Sequence, residues 1–468
     1  MTTQCDIAII GMAVMGQNLA LNIARKGFAV AVFNRTGEKT QQFITERVAD
    51  EPIVPTYTLA ELAGVLRKPR RIMLMVKAGQ AVDEFITAIL PHLEPGDLLI
   101  DGGNSFFRDT ERRIALAENH QLLFLGTGVS GGEYGALHGP SIMPGGHREG
   151  YLLVQEILEK AAAQVEDGPC CAYLGPGGSG HFVKMVHNGI EYAIMQAIAE
   201  VYDLMRRLYA LPTDMIQRFF EEWKESEIAS YLVEITARIL AVKDPHTQKP
   251  LVEVILDAAE QKGTGKWTSQ VAFDLGVPTP IINQAVIARS FSFFKEIRTQ
   301  LAPHHSEISP LPFTSHEAQC LKNSLLFAMV MAFSEGFALL KAASQESGYT
   351  LHLPEIARIW KGGCILRTAL LSRLQRALTE NAPLLFASAE FLSEVKTILP
   401  QVRETVHKAA NWGIPLPVLG SALTSFDSWT SAVLPANLLQ AQRDFFGAHT
   451  YRRIDQEGVF HTNWEECS

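Results

Sequence analysis

The chain has 468 residues, 47% apolar and 19% charged, a composition that buries a large core and excludes an intrinsically disordered polymer. At about 150 residues per domain, its length points to about three units rather than one. Asp and Glu number 50 against 41 Lys and Arg, a formal charge of −9, which disfavours nucleic acid or an anionic membrane as the main partner and leaves small ligands open.

The longest apolar run, near Leu325 to Phe333, is half of the roughly 18 residues a membrane helix needs. No basic segment followed by an apolar one opens the chain. The cysteines Cys5, Cys170, Cys171, Cys320, Cys364 and Cys467 form no C-x-x-C pair and show no metal-ligand spacing with histidine, the pattern of reduced thiols. We expect a cytoplasmic protein without a metal centre.

In chain order, short apolar runs alternate with helix-like stretches over the first third. The runs are Asp6 to Ile10, Ala29 to Phe33, Arg71 to Val76, Asp97 to Ile100, Leu122 to Leu125 and Ala172 to Leu174. This alternation predicts an α/β, Rossmann-like domain: a mostly parallel sheet with helices on both faces. Between the first two runs stands Gly11-Met12-Ala13-Val14-Met15-Gly16, opening a helix from Gln17 to Lys26. Glycine permits the tight turn and the close backbone approach, and the helix N-terminus offers free N–H groups to a pyrophosphate. Ala13 takes the place of the middle glycine. The flanking strands complete a βαβ unit, so the motif reads as a dinucleotide site rather than a plain turn. After the second strand come Asn34, Arg35 and Thr36, where an NAD-binding protein would carry a carboxylate. Arg35 supplies a permanent cation for a 2′-phosphate, which favours NADP.

The glycine-rich stretch Gly175-Pro176-Gly177-Gly178-Ser179-Gly180 ends the strand signals, placing a boundary near Gly178. A large all-α domain is expected to follow. Its first helix should run from Ser179, as a candidate N-cap, to Leu208. Lys184, His187, Asn188 and Glu191 fall at i, i+3, i+4 and i+7 on it and share one face. Such a face could be an ordinary solvated ion pair. The glycine-rich connection instead brings it to an interdomain cleft, where a lysine with a lowered pKa can remove a hydroxyl proton and a glutamate can return one. Further on, Ala199 to Met205 matches Ser334 to Leu340 in pattern, and Met215 to Phe219 resembles Glu355 to Ile359, the mark of a duplicated helical unit. The position matching Lys184 is then Gln319, and that matching Glu191 is Leu326. The last stretch, Gln440 to Ser468, is polar and aromatic without apolar period, and so is either a frayed tail or a segment docked on another surface.

Six motifs in order resemble the 6-phosphogluconate dehydrogenase family: the Gly11 loop, Asp101-Gly102-Gly103-Asn104-Ser105, Gly128-Val129-Ser130-Gly131-Gly132-Glu133, Val183 to Tyr192, Lys262 to Trp267, and Arg443 to Tyr451. The resemblance spans nearly the whole chain. It implies an NADP-dependent oxidoreductase of the pentose phosphate pathway that oxidises and decarboxylates 6-phosphogluconate to ribulose 5-phosphate and CO2. Lys184 would be the general base and Glu191 the general acid. Carboxylate and sugar contacts would fall to Asn104, Ser130, Gly131, Gly132, His187 and Asn188. Phosphate contacts would fall to Tyr192, Lys262, Thr264 and Arg289, with Arg443 and His449 supplied across a homodimer. Cofactor contacts would be Gly11, Ala13, Met15, Gly16, Asn34, Arg35, Thr36, Val76, Lys77, Ala78 and Asn104. The boundaries read above divide the chain into 1–178, 179–439 and 440–468, and the resemblance implies that the tail docks on the partner subunit and that the active site is shared. Where the family usually has a second glutamate, this chain has Tyr134, from which at most a change of loop packing is expected. The competing readings are a non-decarboxylating β-hydroxyacid dehydrogenase and a catalytically silent NADP-binding protein.

Overall fold

The structure is a computed structural model that describes residues 4–260, 263–380 and 382–465. Its N-terminal part is built on a seven-stranded sheet: β1 (Ile7–Ile10), β2 (Val30–Phe33), β3 (Ile53–Pro55), β4 (Arg71–Leu74), β5 (Leu98–Asp101), β6 (Leu123–Val129) and β7 (Ile142–Gly146), in the order β3-β2-β1-β4-β5-β6-β7. All neighbours are parallel except β6 and β7. Alternate residues of β1 feed opposite faces. Ile7 and Ile9 join the layer containing Leu19, Ile23 and Val154, and Ala8 and Ile10 join the one containing Leu62, Ile86 and Phe124. That two-sided burial is why these strands read as continuous apolar runs rather than alternating ones.

Five of the six expected strands are present. Ala172 to Leu174 is not one: the segment beside it makes a single bridge, Cys171 to Ile142, and Leu174 N–H donates to Pro144 O at 2.9 Å. The strand at that edge is β7, whose Ile-Met-Pro-Gly-Gly sequence reads as a turn. Gly145 is required there because a Cβ would collide with the backbone of Gly180 in the helix crossing it. β3 also escaped notice, being three half-buried edge residues ending in Pro55.

The helical part is organised around two long helices, Ser179–Asp203 and Ser315–Glu346, packed against each other. Gly336 on the second leaves room for Ile190 of the first. The expected run to Leu208 ends in π-helical turns over Leu204–Leu208. Ser179 is the first helical residue and not the cap, its hydroxyl donating to Gly175 O at 2.7 Å. Ser315–Glu346 is by length and composition apolar enough to cross a membrane, yet 83% of its apolar window is buried in protein, as expected of a core helix.

The internal repeat reappears as a shared device. Glu200 and Glu335, equivalent in the matched segments, are both buried and each receives the N-terminal N–H groups of a proline-initiated helix. Val418 and Leu419 donate to Glu200 at 2.9 and 2.8 Å. Ile281 and Ile282 donate to Glu335 at 3.1 and 3.2 Å. Each carboxylate meets the positive end of a helix dipole. Glu335→Ala leaves two buried donors without an acceptor, so we expect a loss of about 2–4 kcal/mol, measured as a lowered denaturation midpoint, with a smaller loss in Glu335→Gln.

The chain divides into two compact units, the second beginning at Leu423. Within it a helix, Ala436–Gly447, runs across the start of the expected tail. The boundary drawn at Gln440 cut its short apolar run in two. Asp444 organises the segment beyond this helix, accepting from Thr450 N–H (2.9 Å), His461 Nδ1 (2.9 Å), Thr462 N–H (3.1 Å) and Trp464 Nε1 (2.9 Å). Tyr451 and Phe460 exchange two backbone hydrogen bonds of 2.8 Å.

Candidate active site

β1 pairs with β2 on one side and β4 on the other, so the sheet reverses its strand order between β1 and β4, the place where open α/β sheets bind ligands. Gly11 ends β1 there at φ 105°, and a Cβ on it would lie 2.5 Å from Met75 O. Gly16 sits in the first turn of the next helix, where a Cβ would collide with Gly11 O. Asn34 fastens this loop to the end of β2: Met12 N–H donates to Asn34 Oδ1 at 3.0 Å, and Asn34 Nδ2 donates to Thr36 O at 3.0 Å. Ala13, Arg35 and Thr36 are exposed and Met15 is half-buried. The Arg35 guanidinium is 80% exposed and stands 3.8 Å from Glu84, an ion pair loose enough to open for an anion.

A cleft of about 910 Å³ runs from this edge to the long helix. One wall carries Val76, Lys77, Ala78 and Asn104; the other carries Asn188, Glu191, Tyr192, Thr264 and Arg289. Expected cofactor and substrate residues therefore meet in one cavity. The walls are pinned by a buried charge network beneath them. Asp101 accepts from Gly103 N–H (3.0 Å), Ser105 Oγ (2.6 Å) and Arg113 Nη1 (3.0 Å), while Arg113 also donates to Asp83 (2.8 Å) and Gly79 O (2.9 Å). Arg113, Phe106, Trp267 and Met195 were not anticipated. Phe106 and Trp267 pack with ring centroids 5.1 Å apart and planes tilted by 42°, and the only sequence sign of this contact is that Trp267 closes a family motif.

The helix brings the four polar residues together as its periodicity requires, Asn188 and Glu191 lining the cleft and Lys184 and His187 buried beside them. Lys184 Nζ donates to Asn188 Oδ1 at 2.6 Å and Ser130 Oγ at 3.3 Å, and lies 3.3 Å from His187 Nδ1. His187 Nδ1 is in turn 3.8 Å from Glu191 Oε2, and its Nε2 is 3.5 Å from Ser130 Oγ. Amine and carboxyl thus both approach the same imidazole nitrogen. Burial pushes the Lys184 amine down from its ordinary value, against the pull of Glu191. Burial pushes Glu191 up, against Lys184 and Arg289. His187 is driven well down, first by burial and then by Lys184, so it is neutral. The two proton-transfer groups are displaced toward each other, the amine toward its free base and the carboxyl toward its acid.

Gly128 on β6 makes room for this: a Cβ there would sit 2.5 Å from the Lys184 Cβ. Ser130 precedes Gly131 and Gly132, with φ of 104° and 60°, at the N-terminus of the Gly132–His138 helix. A Cβ on Gly131 would lie 2.5 Å from Gly363 O. Tyr134 is exposed and rests on His138, ring centroids 4.3 Å apart. Arg289 stacks on the Tyr192 ring at 3.3 Å, a planar cation already oriented. Lys262 lies outside the described residues. Arg443 and His449 are exposed in the second compact unit.

Among the described residues, His316, Cys320 and Glu404 bring ligand-type atoms within 4.8 Å of one another. The four-residue His–Cys spacing is present in the sequence, but its third member comes 84 residues later, on another helix.

Comparison with known proteins gives a consistent result. Residues 6–175 match the family model described as the NAD binding domain of 6-phosphogluconate dehydrogenase, and residues 180–464 the model of its C-terminal domain. The NADP(+)-dependent, decarboxylating 6-phosphogluconate dehydrogenase of Bacillus subtilis is 49% identical over 98% of this chain and 99% of its own length. A decarboxylating 6-phosphogluconate dehydrogenase of Synechococcus elongatus is 48% identical over 98% and 99%. Among solved structures, Plasmodium falciparum 6-phosphogluconate dehydrogenase, studied in apo form and in complex with NADP+ and with 6-phosphogluconate, superposes with a TM-score of 0.94 at 46% identity, covering 98% of this chain and 100% of that one.

Proposed function

The chain belongs to the 6-phosphogluconate dehydrogenase family, and from that premise we propose how its residues oxidise and decarboxylate 6-phosphogluconate to ribulose 5-phosphate and CO2 with reduction of NADP to NADPH. The reading rests above all on the cluster of Lys184, His187 and Glu191, whose carboxyl member lines the nucleotide-edge cleft. NADP supplies the hydride acceptor. Lys184 takes the proton of the C3 hydroxyl as the hydride departs. The resulting 3-keto acid loses CO2 with its own carbonyl as electron sink, so the step needs no metal. Glu191 then delivers a proton to C1 of the enediol, completing the pentulose. Neutral His187 holds the two groups in register and, with Asn188, Asn104, Ser130, Gly131 and Gly132, orients the sugar acid.

The phosphate is held by Tyr192, Lys262, Thr264 and Arg289, joined by Arg443 and His449 of a second subunit. One observation supports that last assignment: Arg443 lies on a helix whose Leu438, Leu439, Phe445 and Phe446 are all exposed, as expected of a segment made to be covered. We accordingly read the protein as a homodimer with a shared site, divided at 178 and 439. The described cysteines are free thiols, which fits the cytoplasm.

Gly11, Ala13, Met15, Gly16, Val76, Lys77, Ala78 and Asn104 surround the dinucleotide, and Asn34, Arg35 and Thr36 its 2′-phosphate. Losing a charge-assisted bond to that phosphate costs about 1.5–3 kcal/mol. Arg35→Ala should therefore raise KM for NADP by about 10- to 100-fold, with KM for NAD little changed in parallel titrations. The activity itself is tested by following NADPH and CO2 together. Equal amounts of the two are expected; NADPH without CO2 would point to the non-decarboxylating alternative.

A further inference from the structure

We infer that His316, Cys320 and Glu404 form a binding site for a borderline-soft divalent cation of the zinc class, remote from the catalytic cleft. His316 and Cys320 are one turn apart at the start of the Ser315–Glu346 helix, and Glu404 faces them from the Ala389–Asn411 helix. The three atoms form a triangle: His316 Nε2 to Glu404 Oε2 is 2.9 Å, Cys320 Sγ to His316 Nε2 is 3.4 Å, and Cys320 Sγ to Glu404 Oε2 is 3.8 Å. Bond lengths of about 2.0–2.3 Å in a tetrahedral zinc site place neighbouring ligand atoms about 3.3–3.6 Å apart. The observed triangle thus needs adjustments of only a few tenths of an ångström.

The donor set is that of zinc sites, one nitrogen, one sulfur and one carboxylate oxygen. Its surroundings leave the right atoms available. Lys408 donates to Glu404 Oε1 at 2.6 Å and to Glu317 Oε1 at 3.2 Å, so the lysine occupies the oxygen that faces away from the triangle. Glu317 is engaged in capping Thr314. His316 is exposed and gives an entry path, while Cys320 is buried and supplies the enclosed side. Burial and the nearby Glu404 hold the thiol protonated, pushed up to about 11, so binding proceeds by exchange: the S–H bond breaks, a metal–thiolate bond forms, and one proton passes to solvent. Water completes the fourth position. A cation here ties the start of the central helix to the Ala389–Asn411 helix, adding a cross-link that the proton-transfer pair does not use.

Cobalt(II) is the probe, titrated into the intact metal-free protein and followed by thiolate-to-cobalt charge-transfer absorption. We expect the band to saturate at one equivalent per chain, to vanish in Cys320→Ser, and to weaken in Glu404→Gln and His316→Ala. Dehydrogenase turnover, unchanged in all three variants, reports that they are folded. Zinc(II) should displace cobalt and raise the thermal midpoint of the wild type but not of Cys320→Ser. No band at millimolar cobalt, or an equal band in Cys320→Ser, would overturn the assignment, the latter placing the metal on another thiol.

Discussion

Lys184→Ala is expected to reduce turnover by about 10³- to 10⁴-fold, the upper part of the range for a general base, while NADPH binding measured by nicotinamide fluorescence stays at the wild-type value. The two readouts separate because Lys184 is buried against Asn188, Ser130 and His187, whereas the dinucleotide edge is formed by the Gly11 loop and the end of β4. Loss of cofactor binding with turnover would assign the lysine a packing role instead. Lys184→Arg offers no rescue, since a guanidinium remains protonated at any working pH.

Glu191→Gln removes the acid and keeps the shape. We expect steady-state turnover to fall by about 10²- to 10³-fold, while the first equivalent of NADPH forms in rapid mixing at close to the wild-type rate. The carboxyl acts after hydride transfer, so its loss stalls the enediol. A first turnover slowed as much as the steady state would mean that Glu191 serves the oxidation step.

Much of this site was legible in the sequence because helical periodicity is a strict geometry. Residues at i, i+3, i+4 and i+7 must share a face, and Lys184, His187, Asn188 and Glu191 do. The Gly11 loop was legible for a similar reason: only glycine tolerates the backbone approach to Met75 O that the strand reversal imposes. The features that the sequence concealed depend on distant partners. Arg113 reads as one more polar residue on an amphipathic helix until Asp101 and Asp83 arrive from two other elements. β7 was hidden by Pro144, Gly145 and Gly146, of which Gly145 makes room for the helix crossing it and Gly146 for Phe124 and Leu125 of the neighbouring strand. The repeat was visible as a faint pattern, but its meaning, a buried glutamate at the start of a proline-led helix in each half, required knowing that Glu200 reaches Val418 and Glu335 reaches Ile281.

The division of labour between the Lys184 amine and the Glu191 carboxyl, which both approach Nδ1 of His187, is tested most directly by the dependence of kcat and of kcat/KM on pH in the wild type and in Glu191→Gln. Protonation of Lys184 should depress the rate at low pH and ionisation of Glu191 at high pH, with burial drawing the two limbs toward neutrality. We expect an acidic limb in kcat/KM that both proteins share, and an alkaline limb in kcat that the wild type shows and Glu191→Gln lacks. A variant that keeps both limbs unchanged would contradict it.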